Sequence, residues 1–377
     1  MTAQIKDFIE QEFYYFHQHP ELSYQEFETT KRLKSDLQKA GIKVIDSSLK
    51  TGLIAQIGEG GRVVALRADI DALKVTENTD LPYKSVNEGI MHACGHDSHA
   101  SAVLGAALLL KEKEASLKGT VRIIFQPAEE APGGALEVIK AGGLNDVEAI
   151  FGIHSASIFE VGSLGIAAGP TCAAVEKFKI VIEGKGTHAA HPELGNDPLI
   201  AATEFVGAVQ SIVSRNILPG DPAVISVTHL DAGTSWNIIP NSVELEGTIR
   251  TYSKEARATA KKNFERVLNG IAAAFGVKAN LTWIVEVAAT NNDPALSVFA
   301  ADVAKELNLT VHKSPKSMGG EDFSLYQEKV KGLFIQFGTG LGAPNHNPSF
   351  KVDPSAIYPT SVYLSRLLEK YLEQDNV

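Results

Sequence analysis

The stretch Val121-Arg122-Ile123-Ile124-Phe125-Gln126-Pro127-Ala128-Glu129-Glu130 runs from a nearly continuous apolar segment through a proline into two adjacent carboxylates. Apolar runs of this length read as strands buried on both faces, the kind that fill the middle of a parallel sheet. Two more follow the same plan. Val63-Val64-Ala65-Leu66-Arg67 leads to Asp69 and Asp71 and then to the loop Cys94-Gly95-His96, and Ala149-Ile150-Phe151-Gly152-Ile153 leads into His154. Open parallel sheets place their chemistry just beyond the carboxyl ends of such strands. Thiolate, imidazole and carboxylate gathered there, with His346 near the C-terminus, form a donor set for a divalent metal. A glutamate beside a ligand glutamate supplies a base for activating metal-bound water. The chain reads as a metal-dependent hydrolase.

Outward from these strands, helices alternate with strands: 52–57, 62–68, a helix from about 98 to 113, 120–126, a helix near 134–141, and 149–153. This is the order of an α/β domain with a mostly parallel central sheet. Upstream, Ile5, Phe8, Ile9, Phe13 and Phe16 recur at helical spacing, and Ser23-Tyr24-Gln25-Glu26 fits a capping box that opens a second helix. From Ala174 the pattern becomes β-α-β-β-α-β, with strands near 178–182, 223–230, 243–252 and 277–286, and helices over 198–214 and 254–275. That string is the ferredoxin-like arrangement of a small α+β domain. After Asp293 the chain returns to helix, strand (332–338), loop and final helix. His346 lies in that last part, so the small domain is expected as an insertion. The expected division is a catalytic domain of 1–173 and 291–377 around an inserted domain of 174–290.

At 377 residues the chain has length for two domains, and 44% hydrophobic with 21% charged residues is ordinary for a folded soluble protein. A formal charge of −10 with no basic block argues against a nucleic-acid binder. No apolar run approaches the ~20 residues of a membrane span, and acidic residues interrupt the N-terminal segment, so neither membrane span nor signal peptide is expected. Two cysteines, Cys94 and Cys172, exclude a disulfide framework and suit a reducing cytoplasm.

Seven segments together resemble a known family. They are Arg67–Leu73 (RADIDAL), Met91–Asp97 (MHACGHD), Gln126–Glu130 (QPAEE), Gly184–Ala190 (GKGTHAA), Gly233–Pro240 (GTSWNIIP), Gly247–Arg250 (GTIR) and Gly319–Phe323 (GGEDF). The chain is similar to the metal-dependent amidohydrolases that include hippurate hydrolase, auxin–amino acid conjugate hydrolases and bacterial N-acyl-amino-acid deacetylases. The resemblance spans nearly the whole chain in order. It implies a zinc-peptidase-like catalytic domain, an inserted dimerisation or lid domain, a homodimer, and two divalent metal ions per subunit bridged by a cysteine.

Carried over by position, it implies Cys94, His96, Glu130, His154 and His346 as metal ligands and Glu129 as general base. It implies His188 as an oxyanion donor working in the partner's site, and Asn237, Arg250 and Gly320 as substrate-binding residues. Asp71 is placed to fix a ligand histidine's tautomer, while His92, His99 and His191 match no ligand position. Zinc or manganese suits the donors, and cobalt or nickel would serve.

The segment Gly184–Ala189 imitates a dinucleotide fingerprint but opens no helix of a βαβ unit, and there is neither a Gly-x-Ser-x-Gly elbow nor a phosphate loop. Lys74, Thr187 and Ser155-Ala156-Ser157 depart from the family pattern, the last beside the site. The expected reaction is hydrolysis of an N-acyl, first an N-acetyl, amino acid. An aryl-acyl substrate comes second, and a dipeptidase or carboxypeptidase with the same chemistry third. A cysteine hydrolase using Cys94 and a silent binding protein are the rivals from other classes.

Overall fold

Four strands, Gly119–Gln126, Arg62–Asp69, Val147–Ala156 and Lys331–Gly338, lie side by side and parallel at the centre of an eight-stranded sheet. The computed structural model describes residues 2–374. Antiparallel strands Leu53–Ile57 and Lys43–Ile45 extend one edge of the sheet, and Ser163–Gly165 and Thr310–His312 the other. The helices His96–Glu112 and Gly134–Lys140 are the crossovers that connected parallel strands of one sheet require.

The apolar runs are continuous because each strand feeds two cores. Val64, Leu66, Val121, Ile123, Phe125, Ala149, Phe151 and Ile153 face one core, formed with the helices Thr2–Gln18, Phe27–Lys39, His96–Glu112 and Ile357–Glu373. Ala65, Ile124 and Ile150 face a second, with Ala135, Val138, Phe323 and Tyr326. Successive side chains point to opposite faces of a strand, so both sets must be apolar.

The chain divides into two compact units. One runs to Gly169 and resumes over Asn291–Pro315 and from Asp322 onward; the other is Pro170–Thr290 with Lys316–Glu321. The short segment 316–321, which the sequence reading left with the catalytic residues, groups with the second unit. There the Ala173 N–H donates to the carbonyls of Ser317 and Gly319, each at 3.0 Å. Taken by itself, the second unit is a four-stranded antiparallel sheet ordered Ala223–Ala232, Ser242–Thr251, Ala174–Glu183, Lys278–Val287. Helices Pro198–Arg215 and Lys254–Phe275 cover it through Phe178, Phe205 and Phe264. Asp197 and Ser253 accept backbone N–H bonds at the two helix starts, as N-caps do.

Two local expectations are corrected. The capping box does not form: the second helix starts at Phe27, its Glu28 and Thr29 N–H groups donate to the Glu21 carboxylate, and the Ser23 hydroxyl donates instead to Asp71 Oδ2 at 2.7 Å. The strand leading to His154 also runs past it to Ala156, held in register by Gln336 and Gly338 of the neighbouring strand.

Candidate active site

The carboxyl ends of the parallel strands in the first unit gather the chemistry. Cys94 precedes the helix His96–Glu112, and Gly95 between them has φ +86°. A Cβ on Gly95 would stand 2.6 Å from Ser155 Oγ, so a side chain there is excluded by strain and by space. Cys94 Sγ, a nitrogen of His96 and a nitrogen of His154 all lie within 4.8 Å of one another. Cys94 Sγ, a Glu130 oxygen and a His346 nitrogen form a second group of the same closeness. Cys94 therefore belongs to both. A third group, His96 with Glu129 and Glu130, puts the neighbouring carboxylate beside the same donors.

Electrostatics follow from this crowding. Burial pushes the Cys94 thiol up, but His154, 3.4 Å from Sγ, and His96 outweigh it and hold the thiol at about 6. Hydrogen bonds to Cys94 and Glu130 raise His346 to about 10. Burial disfavours the charged form of His96, yet Asp69, Cys94 and Asp71 hold it well above the ordinary histidine range. Anions thus outweigh the fixed cations here, a setting that favours bound positive charge. His96 Nε2 is buried without a hydrogen-bond partner among the described residues. That orphaned nitrogen and the thiolate–imidazole–carboxylate set fit divalent metal binding.

Asp71 organises the surroundings. Its Oδ1 lies 3.2 Å from His96 Nδ1 and accepts the Glu129 N–H at 3.1 Å, while Oδ2 accepts the Glu130 N–H at 3.0 Å. His346 sits at φ +67°, its N–H donating to the Ala93 carbonyl at 2.7 Å. The neighbouring Asn345 amide donates to the Cys94 carbonyl and to Ser155 Oγ, each at 3.0 Å.

A fourth triad of possible donors, Asp69, His96 and His99, is also close. Both His99 nitrogens are engaged, Nδ1 with Asp69 Oδ1 at 2.5 Å and Nε2 accepting the Ser155 N–H at 2.7 Å. Burial pushes His99 down to about 3, so the ring is neutral and serves as a brace beneath His154. His92 is likewise buried and lies outside the donor groups, its pKa pushed by burial to about 4.

Beneath the site Arg67, fully buried, donates to Gln126 Oε1 (2.7 Å), Asp69 Oδ2 (2.6 Å) and Asp322 Oδ1 (2.9 Å). Gln126 in turn donates to both Asp322 oxygens and accepts from the Tyr326 hydroxyl. The sequence reading assigned none of these a role. A signal existed: a guanidinium inside a run buried on both faces demands buried anions, and the quoted Asp322 was available to supply one.

In the second unit, His188 pairs with Ile238 in a two-residue ladder, and the Asn237 carbonyl accepts the Ala189 N–H at 3.0 Å, so His188 and Asn237 are brought together. The Ala190 N–H donates to His188 Nδ1 at 3.1 Å, which leaves the proton of the neutral ring on Nε2. Arg250 donates to Thr248 Oγ1 at 2.9 Å and to the Met318 carbonyl at 3.4 Å. Gly320 stands beside it, where an added Cβ would meet Val175 Cγ2 at 2.4 Å. That tight packing gives this glycine a structural reason. His191 is exposed and pairs with Glu193.

A sequence profile of Peptidase family M20/M25/M40 matches residues 65–370. The chain belongs to this family. It is a metal-dependent hydrolase, similar to N-acetylcysteine deacetylase of Bacillus subtilis, with 46% identity over 360 residues covering 95% of each chain. The M20 relatives also include thermostable carboxypeptidase 1 of Saccharolobus solfataricus, 37% identical over 94% of this chain and 93% of that one. A plant relative, IAA-amino acid hydrolase ILR1-like 4 of Arabidopsis thaliana, is 38% identical over 95% of this chain and 84% of its own. Among solved M20 structures, Bacillus subtilis YXEP, a dinuclear metal-binding peptidase, superposes with a TM-score of 0.89 at 42% identity, covering 98% and 99% of the two chains. No helix among the described residues is long and apolar enough to cross a membrane.

Proposed function

We propose that this M20 hydrolase cleaves the amide bond of N-acyl amino acids, N-acetyl substrates first, using two divalent metal ions held by Cys94, His96, Glu130, His154 and His346. The observation that carries it is the membership of Cys94 in both donor groups, with Glu129 beside Glu130. Bound there, the metals would polarise the substrate carbonyl and lower the pKa of a coordinated water. Zinc or manganese suits these donors, with cobalt or nickel able to serve.

The remaining chemistry belongs to the chain. Glu129 takes the proton of the attacking water on a carboxylate oxygen and returns it to the departing amine nitrogen. His188 offers its Nε2–H to the oxyanion of the tetrahedral intermediate. Asn237 and Arg250 hold the α-carboxylate, with the guanidinium fork suited to a carboxylate's two oxygens, and Gly320 keeps the adjoining turn close. Asp71 fixes the orientation of His96.

The second unit serves as an inserted ferredoxin-like domain for dimerisation and closure, and His188 acts in the active site of the partner copy. Both cysteines are free, which suits the cytoplasm.

The B. subtilis deacetylases support the N-acetyl choice. The plant hydrolase supports a larger acyl group as the alternative, and the carboxypeptidase supports peptide-bond cleavage by the same residues. Amine release from N-acetyl, N-benzoyl and dipeptide substrates, on chelated protein and after return of each metal, tests the reading. Metal-restored turnover of N-acetyl amino acids supports it. Turnover that ignores chelation and dies on thiol alkylation would replace it with a Cys94 nucleophile.

A further inference from the structure

Three consecutive backbone N–H groups, those of Ala128, Glu129 and Glu130, each donate to a buried carboxylate. The first goes to Glu26 Oε1 at 2.8 Å, and the next two go to Asp71 Oδ1 and Oδ2 at 3.1 and 3.0 Å. Glu26 is fully buried and lies 102 residues from Ala128 in sequence. Ala128 itself sits at φ +52°, in the left-handed region. A side chain holds that conformation only where its surroundings over-determine it. The turn matters because it separates the strand Gly119–Gln126 from the paired carboxylates, and its angle sets where both side chains leave the backbone. Asp71 holds the exit of the turn and Glu26 holds its entry.

We infer that Glu26 is a positioning residue for the Glu129 base, fixing the left-handed turn at Ala128 through a side chain-to-backbone hydrogen bond. This rests on the reading of Glu129 as base. Glu26 is the residue the sequence pattern places in a helix-capping box; with no cap bond formed there, its side chain is committed to the active-site turn instead. Burial raises the Glu26 carboxyl above the ordinary range, and glutamine keeps a side-chain oxygen able to accept the Ala128 N–H.

The test compares Glu26→Ala and Glu26→Gln in the metal-loaded enzyme and combines Glu26→Ala with Glu129→Gln. Displacing a reacting group by about 1 Å costs up to ~100-fold in rate. Glu26→Ala is therefore expected to lower kcat about 10- to 100-fold, with KM within about threefold of wild type. Metal content should stay at the wild-type value, and amide exchange at 128–130 should speed up. Glu26→Gln, which keeps the acceptor, should restore kcat. In the Glu129→Gln background, Glu26→Ala should cost nothing further, because its effect runs through the missing base.

Unchanged kcat in Glu26→Ala, metal loss that parallels the activity loss, or an additive double variant would each overturn the assignment. If Glu26→Ala does not fold, Glu26→Gln decides with the same readouts, and a kcat as low as that of Glu129→Gln overturns the acceptor role. Full activity in Glu129→Gln alone would instead refute the base, a separate failure.

Discussion

The carboxylate of Asp71 lies 3.2 Å from Nδ1 of His96, and the same carboxylate accepts both backbone N–H groups of the Glu129–Glu130 pair. One side chain thus orients the His96 imidazole and the backbone that carries the proposed base and metal ligand. Burial raises the Asp71 carboxyl, but the hydrogen bonds to His96 and Ser23 outweigh it and hold the pKa below the usual range.

Asp71→Asn is accordingly expected to weaken metal affinity by about 10- to 100-fold, the usual effect of losing the partner of a ligand histidine. Competition with a chromophoric chelator measures it. Unchanged affinity would mean that His96 is held by other contacts.

Cys94 is shared by two donor groups, so its removal should damage both at once. Cys94→Ala is expected to cut bound metal by more than one equivalent, where His154→Ala or His346→Ala removes one. In metal-free protein the thiol pKa of about 6 makes Cys94 alkylate rapidly at neutral pH, with a midpoint near 6. Added metal should protect it, and His154→Ala should move the midpoint upward.

His17 on the first helix lies 2.6 Å from Asp97 Oδ2 and 3.3 Å from Glu77 Oε1, all three buried. Burial alone would lower its pKa, but the two carboxylates raise it to about 9. A raised folded-state pKa contributes stability that is fully present below the unfolded value of ~6.5 and is lost as pH rises through the folded value. The stability gap between wild type and His17→Gln should therefore be largest near pH 6, at most a few kcal/mol by linkage. It should shrink as pH passes about 9. Urea unfolding at a series of pH values reads the gap; a gap that grows with pH would contradict a charged His17.

Arg67 is fully buried between Asp69 and Asp322. Arg67→Met leaves two carboxylates uncompensated and is expected to destabilise the protein by about 3–5 kcal/mol. Arg67→Lys should recover only part of this, because an ammonium cannot span Gln126, Asp69 and Asp322 as the guanidinium fork does. Denaturant titration of both variants checks the order.

His188→Ala and Glu129→Ala subunits, each inactive alone, should regain activity when mixed and allowed to exchange. One hybrid site would then contain an intact Glu129 and a partner's His188. Absence of recovery in hybrids shown to form would place His188 in its own subunit's site.

The parallel core and the grouping of the candidate donors, with Glu129 beside Glu130, were legible in sequence because each leaves a local mark. Strands buried on both faces must be apolar without a break, and Glu129-Glu130 after such a run has no reason to be a surface pair. Ser23 and Glu26 show the opposite case. Their spacing fits a cap, yet both side chains serve partners far along the chain, Asp71 and Ala128, because the buried polar groups there had greater need of them. The His154 strand outruns its apolar segment for a related reason: its last residues are held by register with Gln336 to Gly338, not by their own pattern.

By itself the sequence determined most of the regular elements and which side chains are candidates for the chemistry, since hydrophobic period and motif spacing act over a few residues. Only the tertiary structure decided that Asp71 also holds the backbone of the glutamate pair, that Glu26 reaches the Ala128 N–H, and that Arg67 meets Asp322 across 255 residues. Such contacts depend on how the strand ends converge in space, and a buried charge finds its partner by proximity in the folded chain rather than by distance along it.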